Sequence, residues 1–257
     1  MGILDTFRLD GQVAVVTGAG KGIGRAIAIA LAEAGADVAV AARTQADLDS
    51  VADDIRACGR RALALATDAT DRAALDRLAE GAAATLGPLT IWVNNAGGIP
   101  DGTPRYLTRT DDDQFDAQIA LNLKAVWMGA TVAARHMGAG GGAIVNISSR
   151  SAYGPQVKNG PYGAAKAAVN SLTSTLSVEL APAIRVNAVA PGPVPTENFD
   201  DCMGTDTAEK REKLLAMIGI PLARYGTPQD IAAAVVYLAS PAASWVTGQC
   251  LYVTGGR

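Results

Sequence analysis

The sequence predicts an α/β fold in which a parallel sheet carries helices on both of its faces. Short apolar or β-branched runs alternate along the chain with longer Ala-rich segments of helical periodicity, and this alternation is typical of βα units. Hydrophobic residues make up 49% of the 257-residue chain but aromatic residues only 5%, so we expect a core of small aliphatic side chains. A chain of this length fits one domain, predicted to span residues 1–257.

Seven strands are predicted where the apolar runs are clearest. They cover residues 12–17, 37–42, 61–66, 89–93, 143–148, 184–189 and 250–253. Helices are predicted over residues 22–34, 46–57, 71–86, 112–137, 162–180 and 228–238. Two further segments, 97–110 and 191–207, are predicted as loops. Because each follows a strand of an open parallel sheet, both are expected to line a ligand cleft.

Composition and charge argue against several classes of function. The formal net charge is -3 and the 22 basic residues are scattered, so there is no Lys/Arg stripe of the kind that binds nucleic acid. Three widely spaced cysteines and one histidine argue against a disulfide framework and a metal site. Charged residues among the first ten positions interrupt any signal peptide or membrane span. We therefore expect a soluble, cytoplasmic protein with no metal, nucleic-acid or membrane partner.

A glycine-rich turn directly follows the first predicted strand. The stretch TGAGKGIG covers residues 17–24, and an amphipathic helical pattern begins after it. Glycines let backbone N–H groups approach a pyrophosphate closely, and the N-terminus of the next helix favours negative charge. A magnesium-dependent phosphate loop is excluded, because Lys21 is followed by Gly22 where Ser or Thr would be needed. The alternative interpretation is an ordinary strand-to-helix turn.

Two cations near this turn bear on the choice of a nicotinamide coenzyme. The second predicted strand ends at Arg43, and it lacks the acidic residue that would accept hydrogen bonds from the ribose 2′-hydroxyl of NAD. Arg43 and Lys21 together suit a 2′-phosphate. The pattern therefore favours NADP(H), with NAD(H) as the second choice. The alternative is that both residues are ordinary solvated surface cations.

Tyr162 and Lys166 are predicted to share one face of a helix, because they lie four residues apart. Phenol, with a pKa of about 10, is a weak acid at neutral pH, but a neighbouring ammonium favours its phenolate form. Ser149 stands at the end of the fifth predicted strand, so its hydroxyl is expected at the same edge of the sheet, where it can bind a carbonyl oxygen. By position alone, Ser148 is an alternative candidate for this role.

A series of ordered motifs gives nearly the whole chain a resemblance to the short-chain dehydrogenase/reductase family. In chain order they are residues 17–24, Asp68, NNAG at 94–97, Asn122, NISS at 146–149, YGAAK at 162–166, PG at 191–192 and the glycines at 255–256. The resemblance implies a doubly wound Rossmann-type domain and hydride transfer between a nicotinamide coenzyme and a small-molecule ketone or secondary alcohol. It also selects Ser149, thirteen residues before Tyr162, over Ser148, which would face the other way.

The same resemblance implies roles for individual residues. Tyr162 would move the proton, Ser149 would hold the substrate oxygen, Lys166 would bind the nicotinamide ribose, and Asn122 would hold a water that relays protons to Lys166. Asp68 would contact the adenine amino group. The residues expected to contact the coenzyme are Gly18, Lys21, Gly22, Ile23, Gly24, Arg43, Asp68, Ala69, Asn95, Tyr162, Lys166, Pro191, Gly192, Val194 and Thr196.

Substrate class rests on local similarities. Residues 8–11 and 241–249 are similar to bacterial 7α-hydroxysteroid dehydrogenases, and much of the rest is equally similar to 3-oxoacyl-carrier-protein reductases. Residues of about 193–217 are predicted as a flexible loop that closes over a steroid, lipid or acyl substrate through Phe199, Met203, Leu214, Leu215 and Met217. The alternative is that the last three face the core from a short helix.

Two expectations concern the oligomeric state of the protein and whether it is catalytically active. The resemblance implies a homotetramer or homodimer formed through the helices that begin near Asp112 and Tyr162. The competing function is a catalytically inactive NADP(H)-binding regulator, because glycine-rich motifs alone report only binding.

Overall fold

A computed structural model describes residues 2–100 and 103–256 of the chain. One parallel sheet of seven strands runs through it in the order β3-β2-β1-β4-β5-β6-β7. The strands are β1 (Val13–Thr17), β2 (Asp37–Ala42), β3 (Ala62–Ala66), β4 (Ile91–Asn94), β5 (Gly142–Ile147), β6 (Ile184–Pro191) and β7 (Cys250–Val253). This is the doubly wound, Rossmann-like arrangement that was predicted.

Helices cover both faces of the sheet. They are α1 (Gly22–Glu33), α2 (Gln45–Ala57), α3 (Arg72–Leu86), α4 (Asp112–Ile119), α5 (Ala125–Met137), α6 (Gly160–Glu179), α7 (Glu197–Met203), α8 (Ala208–Ile218) and α9 (Pro228–Ala239). None of the helices within residues 2–100 and 103–256 has the length and apolar character needed to cross a membrane.

β1 shows how the core is divided between the two faces. All of its residues are buried, and successive side chains point to opposite sides of a strand. Ala14 and Val16 pack into the cluster that contains residues of α1 and α9. Val13 and Val15 pack into the cluster that contains residues of α3 and α5. The aliphatic, Ala-rich composition is therefore explained by thin strands covered on both sides.

Two predicted segments differ from the structure. The helix predicted over 112–137 is divided, because the π-helical segment Ala120–Lys124 separates α4 from α5. The loop predicted over 191–207 begins with the last residue of β6 and contains α7, and α8 follows within the proposed substrate loop of 193–217. The irregular structure predicted here is wrong for α7, whereas α8 is the short helix that the alternative interpretation placed at Leu214, Leu215 and Met217.

The strand order places a crevice between β1 and β4. The connections from β1 to β3 build the sheet in one direction, and those from β4 to β7 build it in the other. In such sheets, ligands bind beyond the carboxyl ends of the strands at this reversal. The glycine-rich turn follows β1, and the NNAG stretch begins at the end of β4, so both motifs meet at the crevice.

Candidate active site

Lys166 is the buried cation of the site. Its side chain projects from α6 and is only 3% exposed. Its Nζ donates a hydrogen bond to the backbone oxygen of Ile147 at 2.8 Å and lies 5.8 Å from the centroid of the Tyr162 ring. Burial disfavours the charged form and lowers the pKa of Lys166 to about 8. The predicted Tyr–Lys pair is thus close in space, with its charge held inside the protein.

The two serines after β5 occupy different environments. Ser148 Oγ donates to the backbone oxygen of Lys166 at 3.2 Å, so this hydroxyl joins β5 to α6. Ser149 Oγ accepts a hydrogen bond from the N–H of Ser151 at 3.0 Å and caps a short 3₁₀ turn, Arg150–Ala152. Accepting this bond does not use the hydroxyl proton of Ser149. The geometry therefore favours Ser149 as the residue that can donate to a ligand.

Asn122 lies fully buried in the π-helical segment. Its Nδ2 donates to Gly98 O at 2.8 Å, and its Oδ1 accepts from Gly98 N at 2.9 Å. A Cβ placed on Gly97 would lie 3.0 Å from Asn122 Oδ1 and 3.2 Å from Lys166 Nζ. Both side chains therefore lie against the same glycine, and Asn122 holds the NNAG loop beside Lys166.

Gln118 is a residue of this site that the sequence argument missed. It is 8% exposed, and its Oε1 accepts a hydrogen bond from Asn122 Nδ2 at 2.9 Å. Its backbone oxygen lies 3.2 Å from the same nitrogen. The spacing of four residues from Asn122 was the available signal, since residues four apart share one helix face.

A buried polar network lies behind the edge of the sheet that carries Lys166 and Ser149. Asn94 Nδ2 donates to Asn146 Oδ1 at 2.9 Å, and Asn146 Nδ2 donates to Thr173 Oγ1 at 2.9 Å. Trp92 Nε1 donates to Asn94 Oδ1 at 2.7 Å. The chain of bonds joins β4 and β5 to α6, the helix that carries Lys166. Buried amides need such partners, and here their pairing fixes the helix relative to the sheet.

The glycines of the turn after β1 are required by close backbone approaches. A Cβ on Gly18 would lie 2.8 Å from Ala96 Cα, and one on Gly24 would lie 2.1 Å from Gly18 O. Gly18 also has φ +65° and Gly22 has φ +54°, a conformation that favours glycine. Asn95 Nδ2 donates to Thr17 O at 2.9 Å and to Gly18 O at 3.0 Å, so it holds the turn against β4.

This turn meets the test for a nucleotide-binding cradle. Its backbone lies at the start of α1, a 12-residue helix, so unpaired N–H groups and the helix dipole face the crevice. Side chains at Gly18 and Gly24 would collide with Ala96, Asn95 and the backbone of Gly18 itself, so the tight path of the turn requires glycine at both positions. Ile23 and Ala69, two further predicted contacts, are partly buried against the two core clusters. The residues present fit a dinucleotide at this edge of the sheet.

The end of β6 closes the crevice from the other side. Pro191 ends β6 and is buried, as is Val194, which is 4% exposed. A Cβ on Gly192 would lie 2.7 Å from Thr254 Cα, so the chain passes close to β7 here. Thr196 caps α7 and contacts Gly22, whose added Cβ would lie 3.1 Å from Thr196 Cγ2. The predicted residues of this segment thus reach the glycine-rich turn.

Arg43 and Lys21 were expected to be available together for a 2′-phosphate, but in the structure Lys21 is paired with carboxylates. Arg43 is exposed. Asp68 is exposed too, and its pKa is lowered mainly by hydrogen bonds from Thr70 and, to a lesser degree, by the charge of Arg43. Lys21 points to carboxylates instead: its Nζ lies 3.2 Å from Glu197 Oε2 and 3.8 Å from Asp47 Oδ2.

The described part of the 97–110 loop packs against the segment that leads into α6; residues 101 and 102 lie outside the described residues. Arg105 N donates to Lys158 O at 2.9 Å. A Cβ on Gly160 would lie 3.1 Å from Leu107 Cδ1. Since Gly160 begins α6 just before Tyr162, this loop lies close to the Tyr–Lys pair, and its expected place in a ligand cleft stays a prediction.

The two helices of the 193–217 segment are joined by a salt bridge. Arg211 of α8 pairs with Asp200 of α7, and Tyr225 donates its hydroxyl to the backbone oxygen of Arg211 at 2.7 Å. Among the predicted substrate-facing side chains, Leu214 is 8% exposed, whereas Met203 is 48% and Met217 is 77% exposed. Leu214 therefore faces inward from a short helix, as the alternative interpretation held, and Met217 does not.

Comparison with known proteins places the chain in one family. A family model described as enoyl-(acyl carrier protein) reductase matches residues 18–257. Solved structures named as short-chain dehydrogenases or reductases match over almost the whole chain, at TM-scores of 0.86 to 0.88 and 36–40% identity. The chain belongs to the short-chain dehydrogenase/reductase family and is an oxidoreductase acting on CH–OH groups.

Three relatives give the range of similarity. An uncharacterized oxidoreductase of Mycobacterium tuberculosis (strain CDC 1551 / Oshkosh) is 44% identical over 99% of this chain and 95% of that protein. The 7α-hydroxysteroid dehydrogenase of Escherichia coli (strain K12) is 39% identical over 98% and 96%. A structure of a 7α-hydroxysteroid dehydrogenase with NADH and 7-oxo glycochenodeoxycholic acid is 38% identical, with a TM-score of 0.91 over 100% and 98% of the two chains.

Proposed function

We propose that this protein is an NADP(H)-preferring oxidoreductase that interconverts a ketone and a secondary alcohol, with Tyr162 as the general acid and base. The observation that carries the proposal is the buried ammonium of Lys166, 5.8 Å from the centroid of the Tyr162 ring. A cation kept away from water stabilises a nearby phenolate far more strongly than an exposed one. Residues 1–257 act as one catalytic domain in this proposal.

The protein contributes position and proton transfer. Ser149 donates a hydrogen bond to the substrate oxygen, and Tyr162 protonates that oxygen during reduction or accepts its proton during oxidation. Lys166 holds the charge that favours phenolate and binds the nicotinamide ribose. Asn122 fixes the NNAG loop beside Lys166 and holds the proton-relay water. When bound, the nicotinamide coenzyme supplies or accepts the hydride.

Replacement of Tyr162 tests the mechanism. Tyr162→Phe removes the proton donor and keeps the ring, so the variant should bind NADPH with nearly unchanged affinity and lose reductase turnover by about 100-fold or more. Tyr153→Phe is the matched control, because that ring is 81% exposed and has no assigned part in catalysis. Turnover of Tyr162→Phe equal to that of Tyr153→Phe would contradict the proposal.

For the substrate, we propose a steroid, lipid or related secondary alcohol or its ketone. The relatives named 7α-hydroxysteroid dehydrogenase support it, as does the related structure with a 7-oxo bile acid. An acyl-carrier-protein thioester is the second candidate, favoured by the description of the matching family model. NADPH and NADH consumption measured over steroids, simple ketones, acyl thioesters and sugars separates them. A strong preference for NADH would overturn the coenzyme assignment made from Arg43 and Lys21.

The proposal also includes the location of the protein in the cell, its oligomeric state and its catalytic activity. The protein acts in the cytoplasm, and it assembles as a homotetramer or homodimer. A non-catalytic NADP(H)-binding regulator is the alternative that the proposal rejects, because all four predicted catalytic residues are present and three of them contact one another or the same glycine. Saturable NADPH binding without turnover on any member of the substrate panel would favour the regulator.

A further inference from the structure

Lys21 is the one cation of the glycine-rich turn, and it is already paired with acidic side chains. Its Nζ lies 3.2 Å from Glu197 Oε2 and 3.8 Å from Asp47 Oδ2. Glu197 comes from α7 and Asp47 from α2, so three separate elements meet at this cation. The arrangement depends on tertiary structure and is not visible in the sequence around Lys21.

The pair lies beside the position expected for the adenosine ribose. A Cβ on Gly20 would lie 3.0 Å from Asp47 Cβ and 3.6 Å from Ala42 Cβ, so the turn directly touches the end of β2 and the start of α2. Arg43 follows Ala42. In doubly wound folds, the end of the second strand is where the ribose 2′ position is recognised. Lys21 therefore sits at that position together with two carboxylates.

Glu197 is held close to the turn by its neighbour. Thr196 caps α7 and contacts Gly22, where an added Cβ would lie 3.1 Å from Thr196 Cγ2. The first residue of α7 thus cannot lie far from Lys21. The side chains are nevertheless open to water, since Glu197 is 74% and Lys21 58% exposed. An exposed pair of this kind is weak and can be displaced by a stronger anion.

We propose that Glu197 is a determinant of coenzyme choice, because its carboxylate competes with the ribose 2′-phosphate of NADP(H) for Lys21. The 2′-phosphate carries nearly two negative charges and three acceptor oxygens, so it displaces the carboxylate of Glu197 from Lys21. The free energy gained from the new ion pair is reduced by the loss of the Lys21–Glu197 ion pair that it replaces. Glu197 therefore reduces the preference for NADP(H) over NAD(H) that Lys21 and Arg43 provide. This inference rests on the proposed binding of a nicotinamide dinucleotide.

The test measures binding rather than turnover. Glu197→Gln keeps the size of the side chain and removes its charge, so isothermal titration should show about 2- to 5-fold tighter binding of NADPH, the range expected for an exposed ion pair. The fragment 2′,5′-ADP should tighten by the same factor. NADH and 5′-ADP, which lack the 2′-phosphate, should keep their affinity. Glu209→Gln is the matched control, as Glu209 occupies the first turn of α8.

A double-mutant cycle ties the effect to Lys21. In a Lys21→Gln background, the Glu197→Gln replacement should leave NADPH affinity unchanged, because the cation for which the two anions compete is gone. Equal tightening of NADPH and NADH, no change in either, or the same gain from Glu209→Gln would each overturn the inference. Failure of the wild-type protein to bind any of these nucleotides would instead overturn the proposed function, so the two failures are distinguishable.

Discussion

The ammonium of Lys166 is buried next to a phenol and a backbone carbonyl, with the oxygen of Ile147 as its hydrogen-bond acceptor at 2.8 Å. Taking a charge out of water destabilises the folded state unless that charge is fully paired. One carbonyl dipole does not replace a hydration shell, and the pKa of Lys166 falls to about 8 for this reason. The residue thus lowers stability in order to place a positive charge beside Tyr162.

This burial predicts a pH dependence of stability. Below pH 8 the folded and unfolded states both hold the proton, and above the ordinary pKa of 10.5 neither does. Between these values the unfolded chain binds the proton that the folded protein has released, so the free energy of unfolding rises with pH, by about 3 kcal/mol over the whole window. Chemical denaturation at several pH values measures it.

Lys166→Met is the reference for that measurement. The variant lacks the titrating group, while the other ionisable groups of the chain remain. The free energy of unfolding of the wild-type protein, minus that of Lys166→Met, should therefore rise between about pH 8 and pH 10.5. A difference that stays constant across the window would show that Lys166 titrates at the same pH in both states.

At the scale of single residues, the sequence indicated most of the residues that lie in the candidate site but not the residues that they contact. Ser149 was selected over Ser148 by its spacing from Tyr162 and its side of the strand. The structure gives a physical reason, because the hydroxyl of Ser148 donates a hydrogen bond to the backbone of α6. The partners of Lys21 were not predictable, because Glu197 and Asp47 arrive from other elements. Gln118 belongs to no motif, and only its spacing of four residues from Asn122 pointed to it. Contacts between distant elements depend on packing that no local pattern encodes.

The π-helical segment between α4 and α5 is the element that presents Asn122. Its amide is oriented by Gly98 on one side and by Gln118 on the other. A π segment shifts the register of the helix by one residue and is frequent at functional sites. The sequence predicted one continuous helix here because the apolar period does not reveal a single inserted residue.

Loss of the Gln118 side-chain oxygen should weaken the positioning of Asn122. Gln118→Leu keeps a buried side chain of similar size and removes one hydrogen bond, so we expect kcat to fall by about 2- to 10-fold. The dissociation constant of NADPH should remain the same, because the glycine-rich turn is untouched. Steady-state kinetics and titration together separate these effects. Ile119→Leu, one residue along the same helix, is the control; an equal fall in that variant would contradict a specific role for Gln118.

Helices α7 and α8 show why the regular structure within residues 193–217 was hard to predict. The sequence of α8, AEKREKLLAMI, is strongly polar, and of its residues only Leu214 is buried. An amphipathic stripe needs several buried positions to be recognised. What joins the two helices is the ion pair of Arg211 with Asp200 and the hydroxyl of Tyr225, which are contacts between separate parts of the chain.

Arg211 is therefore expected to hold this pair of helices together. Arg211→Ala removes the bonds to Asp200 and to Thr205 O and should raise the rate of limited proteolysis within residues 197–218 by several fold. The midpoint of thermal unfolding should change little, since the sheet and both core clusters are intact. Lys213→Ala, an exposed change on the same helix, is the comparison. Equal cleavage of the two variants would exclude the role of the ion pair.

At the scale of the whole molecule, the sheet was the most predictable feature. All seven predicted strands are present, with ends shifted by two residues at most. The five inner strands are almost wholly buried, and a parallel strand buried on both faces needs a continuous apolar run, whereas the edge strands β3 and β7 are only partly buried. The order of the strands was not predicted; the structure shows that it reverses between β1 and β4, as in doubly wound sheets. Surface helices with few buried residues, such as α8, lack such a signal, and there prediction and structure differ, as they also do at the π-helical segment between α4 and α5.

Large apolar side chains remain exposed on the helices through which assembly was expected. Val178 on α6 is 77% exposed, Trp127 on α5 is 43% exposed, and Phe115 on α4 is 41% exposed. A stable interface between copies would bury such residues. Static light scattering after size exclusion should therefore give a mass of about four times, or about twice, the 26.2 kDa of one chain.

Val178→Glu should dissociate that assembly, because an unpaired carboxylate in an apolar interface costs several kcal/mol. The expected result is a shift of the scattering mass toward 26.2 kDa with the circular dichroism spectrum unchanged. Met217→Glu on α8 is the matched control, since Met217 and Val178 are both 77% exposed and only Val178 lies on a helix assigned to the interface. A monomeric wild-type protein would contradict the predicted assembly, and dissociation by Met217→Glu alone would place the interface away from α4, α5 and α6.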